Sequence, residues 1–223
     1  VLHFPTLSFH KNAYHGTNHR KEIDFIVGRD FLLTLHYDPM TAIEKFSSYM
    51  NQDGDKDVVS SSFIFHKLVK HLYRSLLHDT EMIMELLHKA ENSIFKAEEK
   101  KMVVELSRIH RDILRFSNAL TPHREAIAAL HPVFLKFFGE KYEHLIHDIK
   151  SEYERVDRRM ANNKALLEEL RHTNDSLLAA KQGEAMKGLT MMAFITFPLT
   201  LIATIFSMKT VNTPIVGSSN DFW

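Results

Sequence analysis

The sequence predicts an α+β fold that is mostly α: a small sheet plus long helices, leading into a long stalk helix continuous with a transmembrane helix. Three observations predict it. β-type runs are confined to the first quarter of the chain, a heptad seam spans residues 142–177, and residues 188–208 hold 21 positions without a charge. Of the 223 residues, 44% are hydrophobic, which is enough for a sizeable core in one or two domains.

The first two strands are read from Glu22-Ile23-Asp24-Phe25-Ile26-Val27 and Phe31-Leu32-Leu33-Thr34-Leu35-His36-Tyr37. Both runs are rich in β-branched and aromatic residues, and Gly28-Arg29-Asp30 joins them as a hairpin. Residues 1–9 are a candidate further strand, residues 11–21 a polar loop, and Pro39 marks the entry to a short helix over residues 40–50. The opening Val1-Leu2-His3-Phe4-Pro5 has no secretory pattern and begins like the middle of a strand, so the chain reads as a portion of a longer protein. Asp53-Gly54-Asp55-Lys56-Asp57 has acids at alternate positions, as at the start of a calcium loop. Val58 and Ile64 stand where such a loop needs Gly and a bidentate Glu, so the segment is read as a solvated linker.

Beyond Val58 the apolar period becomes helical. Phe63, Phe65, Leu68, Leu72, Leu76, Ile83, Leu86, Leu87, Ile94 and Phe95 recur at spacings of three and four, with charges between them, and predict a helix over residues 60–95. Leu106, Ile109, Ile113, Phe116, Leu120, Ile127 and Leu130 predict a second over 98–130. Pro122 is expected to bend or interrupt it, and His131-Pro132 with Gly139 marks the next break. The third run, Tyr142, Ile146, Ile149, Tyr153, Val156, Met160, Asn163, Leu167, Leu170, Asn174 and Leu177, keeps a coiled-coil seam that asks for partner helices. Its two Asn residues either fix register or meet solvent at a splayed end. No proline interrupts this run before Pro198, so one helix over residues 140–206 would be on the order of 100 Å long, more than a small globular domain needs.

Charge and motifs exclude several functions. Lys plus Arg equals Asp plus Glu at 28 each, so no global positive field draws nucleic acid, and no nucleic-acid partner is expected. Cysteine is absent, which removes disulfides, thiolate nucleophiles and Cys-based metal sites. The 15 His residues form no H-E-x-x-H pattern, and no P-loop, dinucleotide fingerprint or nucleophile elbow occurs, so an enzyme is not expected. Glu143, His144, His147 and Asp148 lie at helical spacings and are candidate ligands for a divalent cation; solvated surface is the other reading.

Residues 188–208 reach the roughly 20 apolar positions needed to cross a hydrocarbon core. Lys181, Lys187 and the basic residues before them put the N-terminal region in the cytoplasm by the positive-inside bias, with the span in the inner or plasma membrane. Pro198 leaves the carbonyl of Phe194 without its helical donor, a defect that Thr196, Thr200 or water can repair. The Thr-bearing stripe beside it faces either a pore or a packed neighbouring helix.

Met186-Lys187-Gly188-Leu189-Thr190 and Phe197-Pro198-Leu199-Thr200-Leu201-Ile202-Ala203 resemble the first transmembrane helix of the CorA family, with its M-K-x-L-T start and F/I-P-L-T-F/L-I-A centre. The hairpin is similar to the family's I-x-F-x-x-G-x-N-x-L-I-T-V-H segment, and Pro122-His123-Arg124 to its R-x-L-x-P-x-R run. The resemblance implies a homopentameric funnel that passes divalent cations, Mg²⁺ above all, down the membrane potential without covalent chemistry. It implies residues 1–57 as part of a cytoplasmic α/β domain, 58–138 as its helical part, 139–185 as the stalk and 186–208 as the first span. Residues 209–223 follow as an outer loop, with the family's second span missing. Met186, Leu189, Phe197, Thr200 and Thr204 stand at pore-facing motif positions. Acidic residues near this part of the family's stalk sense metal between subunits, which implies a regulatory divalent ion near Glu143, His144, His147 and Asp148.

One departure stands at the mouth. Where the family has Gly-Met-Asn, this chain has Ser207-Met208-Lys209. Three readings remain: a divergent member with altered selectivity or rate, a member impaired in transport, and an anion-tolerant or regulatory variant. A non-conducting helical scaffold with one membrane anchor is the alternative from another class. Ammonium groups ringing a narrow mouth repel a divalent cation, so Lys209→Asn is expected to raise divalent flux in reconstituted liposomes; an unchanged conductance places Lys209 away from the mouth.

Overall fold

The structure is a computed structural model that describes residues 2–5, 20–36, 41–52 and 60–207. The acidic segment 53–57, Pro39, Met208 and Lys209 lie outside the described residues. The chain divides into two units, Val1–Asp175 and Ser176–Trp223.

In the first unit, strands β1 (Leu2–Pro5), β2 (Arg20–Val27) and β3 (Leu32–His36) form an antiparallel sheet in the order β1-β2-β3. Ile23 is opposite both Leu2 and His36, and Val27 is opposite Leu32. The hairpin stands where Gly28-Arg29-Asp30 predicts it. Gly28 donates its N–H to the Phe31 carbonyl at 2.8 Å, and a Cβ there would lie 2.3 Å from the Phe31 ring. Only glycine lets that ring fold over the turn. The Ser61 hydroxyl sits 2.6 Å from the Gly28 carbonyl and 2.7 Å from that of Arg29, which ties the turn to the start of the next long helix. Phe25 meets Phe65 edge to face, with ring centroids 5.6 Å apart, on the same side.

Four helices follow: α1 (Thr41–Gln52), α2 (Ser61–Phe95), α3 (Glu99–Phe138) and, after a 3₁₀ turn at Glu140–Tyr142, α4 (Glu143–Ser207). Ala97, at φ 68°, closes the α2–α3 turn while its N–H reaches the Ile94 carbonyl. This is the left-handed position that glycine usually fills at a helix C-terminus.

Two expectations about α3 are corrected. It is not interrupted at Pro122, and of the two marks given for the next break the helix passes His131-Pro132 and ends at Gly139; both prolines lie inside the helix, which runs on to Phe138. The buried stripe Leu106, Ile109, Ile113, Phe116, Leu120, Ile127 and Phe134 continues past Pro122 and Pro132. An interior proline opposes a helix by about 3 kcal/mol, and burying two such side chains offsets that at about 1.5–3 kcal/mol each. The true stop is Gly139, at φ 100°, whose N–H bonds the Leu135 carbonyl at 2.8 Å.

The heptad seam finds its partner helices within the chain. Leu145, Ile146, Ile149, Tyr153, Val156, Met160, Leu167 and Leu170 are buried, and Tyr153 meets Tyr73 of α2 edge to face. Asn163 is 1% exposed and donates from Nδ2 to the Thr80 carbonyl at 2.8 Å, so solvent at a splayed end does not account for it. On the rim, Arg124 of α3 pairs with Asp157 at 3.0 Å.

Phe116 is 0% exposed at the centre of this three-helix core. Phe116→Ala is expected to destabilise the protein by about 3–5 kcal/mol in denaturant unfolding followed by circular dichroism. Phe194→Ala, at an exposed position, is expected to leave that transition in place.

Candidate functional site

From Ser176 onward α4 presents a different surface. The helix runs on to Ser207, and none of its most apolar window is buried. Phe197 is 75% exposed, and Met186, Leu189, Phe194 and Ile195 are likewise exposed. An apolar surface of this extent is unstable in water and fits hydrocarbon or a protein neighbour. At 3.6 residues per turn, Met186, Leu189, Phe197, Thr200 and Thr204 share an arc of about 80°, with Pro198 on the far side. The motif positions therefore form one stripe, with three large apolar side chains followed by two hydroxyls toward its C-terminal end.

Those hydroxyls are engaged locally. Thr200 donates to the Thr196 carbonyl at 2.9 Å, Thr204 to Thr200 at 2.7 Å and Ser207 to Thr204 at 3.1 Å. The Thr200 hydroxyl thus does not repair the Phe194 carbonyl left open by Pro198, because it reaches back four residues and not six. Each engaged hydroxyl still has its oxygen lone pairs available to a hydrated ion.

The four candidate ligands on α4 separate by helical geometry. Asp148 faces α2, where His66 Nε2 lies 2.7 Å and Lys70 Nζ 2.5 Å from one carboxylate oxygen. Burial works against its charge, but the hydrogen bonds from Lys70 and His66 outweigh it and hold the carboxyl below the usual range. His144 is exposed and donates from Nδ1 to the Lys141 carbonyl at 3.1 Å. Glu143 and His147 share the other face, and the structure adds a residue that the sequence reading missed. His131 of α3 places Nε2 3.5 Å from Glu143 Oε1, and His147 Nε2 lies 3.6 Å from the same atom. His131 and His147 are equally far in sequence from Gly139, which is the signal a hairpin reading would have used.

The sequence matches the family described as CorA-like Mg²⁺ transporter protein over residues 1–223. In structure the chain is similar to the CorA magnesium transporter from Methanocaldococcus jannaschii, with a TM-score of 0.75 and 18% identity, covering 86% of this chain and 61% of that one. It is also similar to the full-length CmaX protein, with a TM-score of 0.74 and 14% identity, covering 100% of this chain and 66% of that one. The chain spans less than two thirds of the length of either. At these identities the likeness is one of fold. No curated protein sequence matches the chain significantly.

A carboxylate whose folded pKa is lowered adds stability above its unfolded pKa and loses it as pH falls through the folded value. Asp148→Asn is therefore expected to destabilise the protein by about 1 kcal/mol at pH 7, a figure discounted for the partial exposure of the pair. The gap to wild type is expected to close as pH falls below about 4 in parallel thermal melts.

Proposed function

The chain belongs to the CorA-like Mg²⁺ transporter family, and from that premise we propose that it is a subunit of a membrane pore that passes divalent cations, Mg²⁺ above all. The single observation that carries this reading is the unburied, uncharged stretch of α4 over residues 188–207, with the motif residues from Met186 to Thr204 gathered on one stripe. In a symmetric homopentamer the stripes of five copies face one another around an axis. Rings of Met186, Leu189 and Phe197 then form hydrophobic constrictions that gate by dewetting, and rings of Thr200 and Thr204 offer hydroxyl oxygens to the hydration shell. Mg²⁺ sheds water reluctantly, so a pore that accepts the hydrated ion avoids most of the dehydration barrier. With the N-terminal region in the cytoplasm, a divalent cation moving inward gains about 4.6 kcal/mol per 100 mV of membrane potential, so no covalent chemistry is needed to drive flux.

A second reading is favoured by one residue. Lys209 brings a cation to the position where the family has the Asn of Gly-Met-Asn, and a non-conducting, membrane-anchored helical scaffold accommodates that charge more easily than a cation pore does. The two readings differ in stoichiometry and flux. The full-length protein in detergent is expected to be a pentamer by native mass measurement and to admit Mg²⁺ into liposomes under an inside-negative potential. A monomer or dimer without flux overturns the pore and supports the scaffold.

A further inference from the structure

We propose that His131, Glu143 and His147 form a binding site for a d-block divalent cation of the Zn²⁺ class, held within one subunit at the α3–α4 turn. The three side chains can bring one ligand atom each to within 4.8 Å of one another. The separations of 3.5 Å and 3.6 Å from Glu143 Oε1 to the two His nitrogens exceed hydrogen-bond length. They match the edge of a coordination tetrahedron, which for metal–ligand bonds of about 2.1 Å is about 3.4 Å. The His131 Nε2 atom is itself buried and has no hydrogen-bond partner among the described residues. An imidazole nitrogen without a hydrogen bond, 3.5 Å from a carboxylate oxygen, is placed to share a cation with it.

The donor set selects the metal. Two imidazoles and one carboxylate suit Zn²⁺, Co²⁺ or Ni²⁺, whereas Mg²⁺ prefers six oxygens in an octahedron. Three protein ligands leave a fourth position for water, and the site opens on that side: His147 is exposed, and both His131 and His147 line a cleft of about 600 Å³ between α3 and α4. Two cations share that cleft, and each has a carboxylate of its own beside it. Arg124 pairs with Asp157 at 3.0 Å, and Lys150 lies 3.9 Å from Glu154. Their charge is thus partly neutralised before a metal approaches. An ion bound here bridges α3 to α4 across Gly139 and pins the turn. Because all three ligands lie within Val1–Asp175, the site stands apart from the pore reading, and metal binding can be measured without flux.

The test is a Co²⁺ titration of the untagged full-length protein in detergent with Mg²⁺ in excess. Wild type is expected to bind one Co²⁺ per chain with the visible absorption of a tetrahedral site, and Zn²⁺ is expected to displace it. His131→Ala and His147→Ala are each expected to weaken Co²⁺ binding at least about 100-fold, since losing even an outer partner of a metal site costs up to about that much. His144→Ala, whose wild-type side chain bonds the Lys141 carbonyl, is expected to bind as wild type does. His147 is exposed, so its variant keeps the fold, which circular dichroism checks. The proposal is overturned if wild type shows no tetrahedral absorption, if both ligand variants bind Co²⁺ as wild type does, or if Mg²⁺ competes the ion away.

Discussion

A helix in hydrocarbon has no water to satisfy its peptide groups, so every N–H and carbonyl must find its partner inside the helix. That constraint governs α4. One helix, Glu143–Ser207, contains a half that buries a narrow stripe against α2 and α3 and a half that buries nothing. The first half needs only amphipathic spacing, because its polar face meets water. The second, over residues 188–207, depends on backbone bonding within the helix and on side chains without charge. Pro198 is the one position there that cannot donate, and the Thr hydroxyls around it bond to other carbonyls.

The first unit depends on the same helix in another way. α2 and α3 are two long helices with buried stripes, and a third stripe completes their core. Residues 145–174 of α4 supply it, with Asn163 pinned to Thr80 and Asp148 to His66 and Lys70. Polar pairs at the edge of an apolar seam add little net stability, but they disfavour sliding the seam by a heptad, because each slip strands a buried polar group. Burial of Asn163 thus acts chiefly on register. The sheet adds a smaller attachment through Phe25, Phe65 and the Ser61 contacts to the hairpin turn.

Much of this was legible. The hairpin, the short helix α1 and the limits of α2 follow from residue type and period, which act locally. The prolines misled, because a helix-breaking preference of a few kcal/mol is local while the stripe that overrides it is not. The seam was visible as a pattern, but a repeat of three and four says only that something packs there. Whether that partner is another subunit or the same chain is a matter of topology.

The candidate metal ligands show the same division. Glu143 and His147 are one helical turn apart, so their pairing is fixed by period alone, as is the stripe of Met186, Leu189, Phe197, Thr200 and Thr204. The sequence by itself determined the uncharged span, its motif and the membership of a family, since those are properties of adjacent residues. Only the tertiary structure decided that Asp148 turns to α2, that His131 joins Glu143 and His147, and that α3 passes through two prolines. Each of those outcomes rests on contacts between distant segments, whose energies depend on packing that no local pattern records.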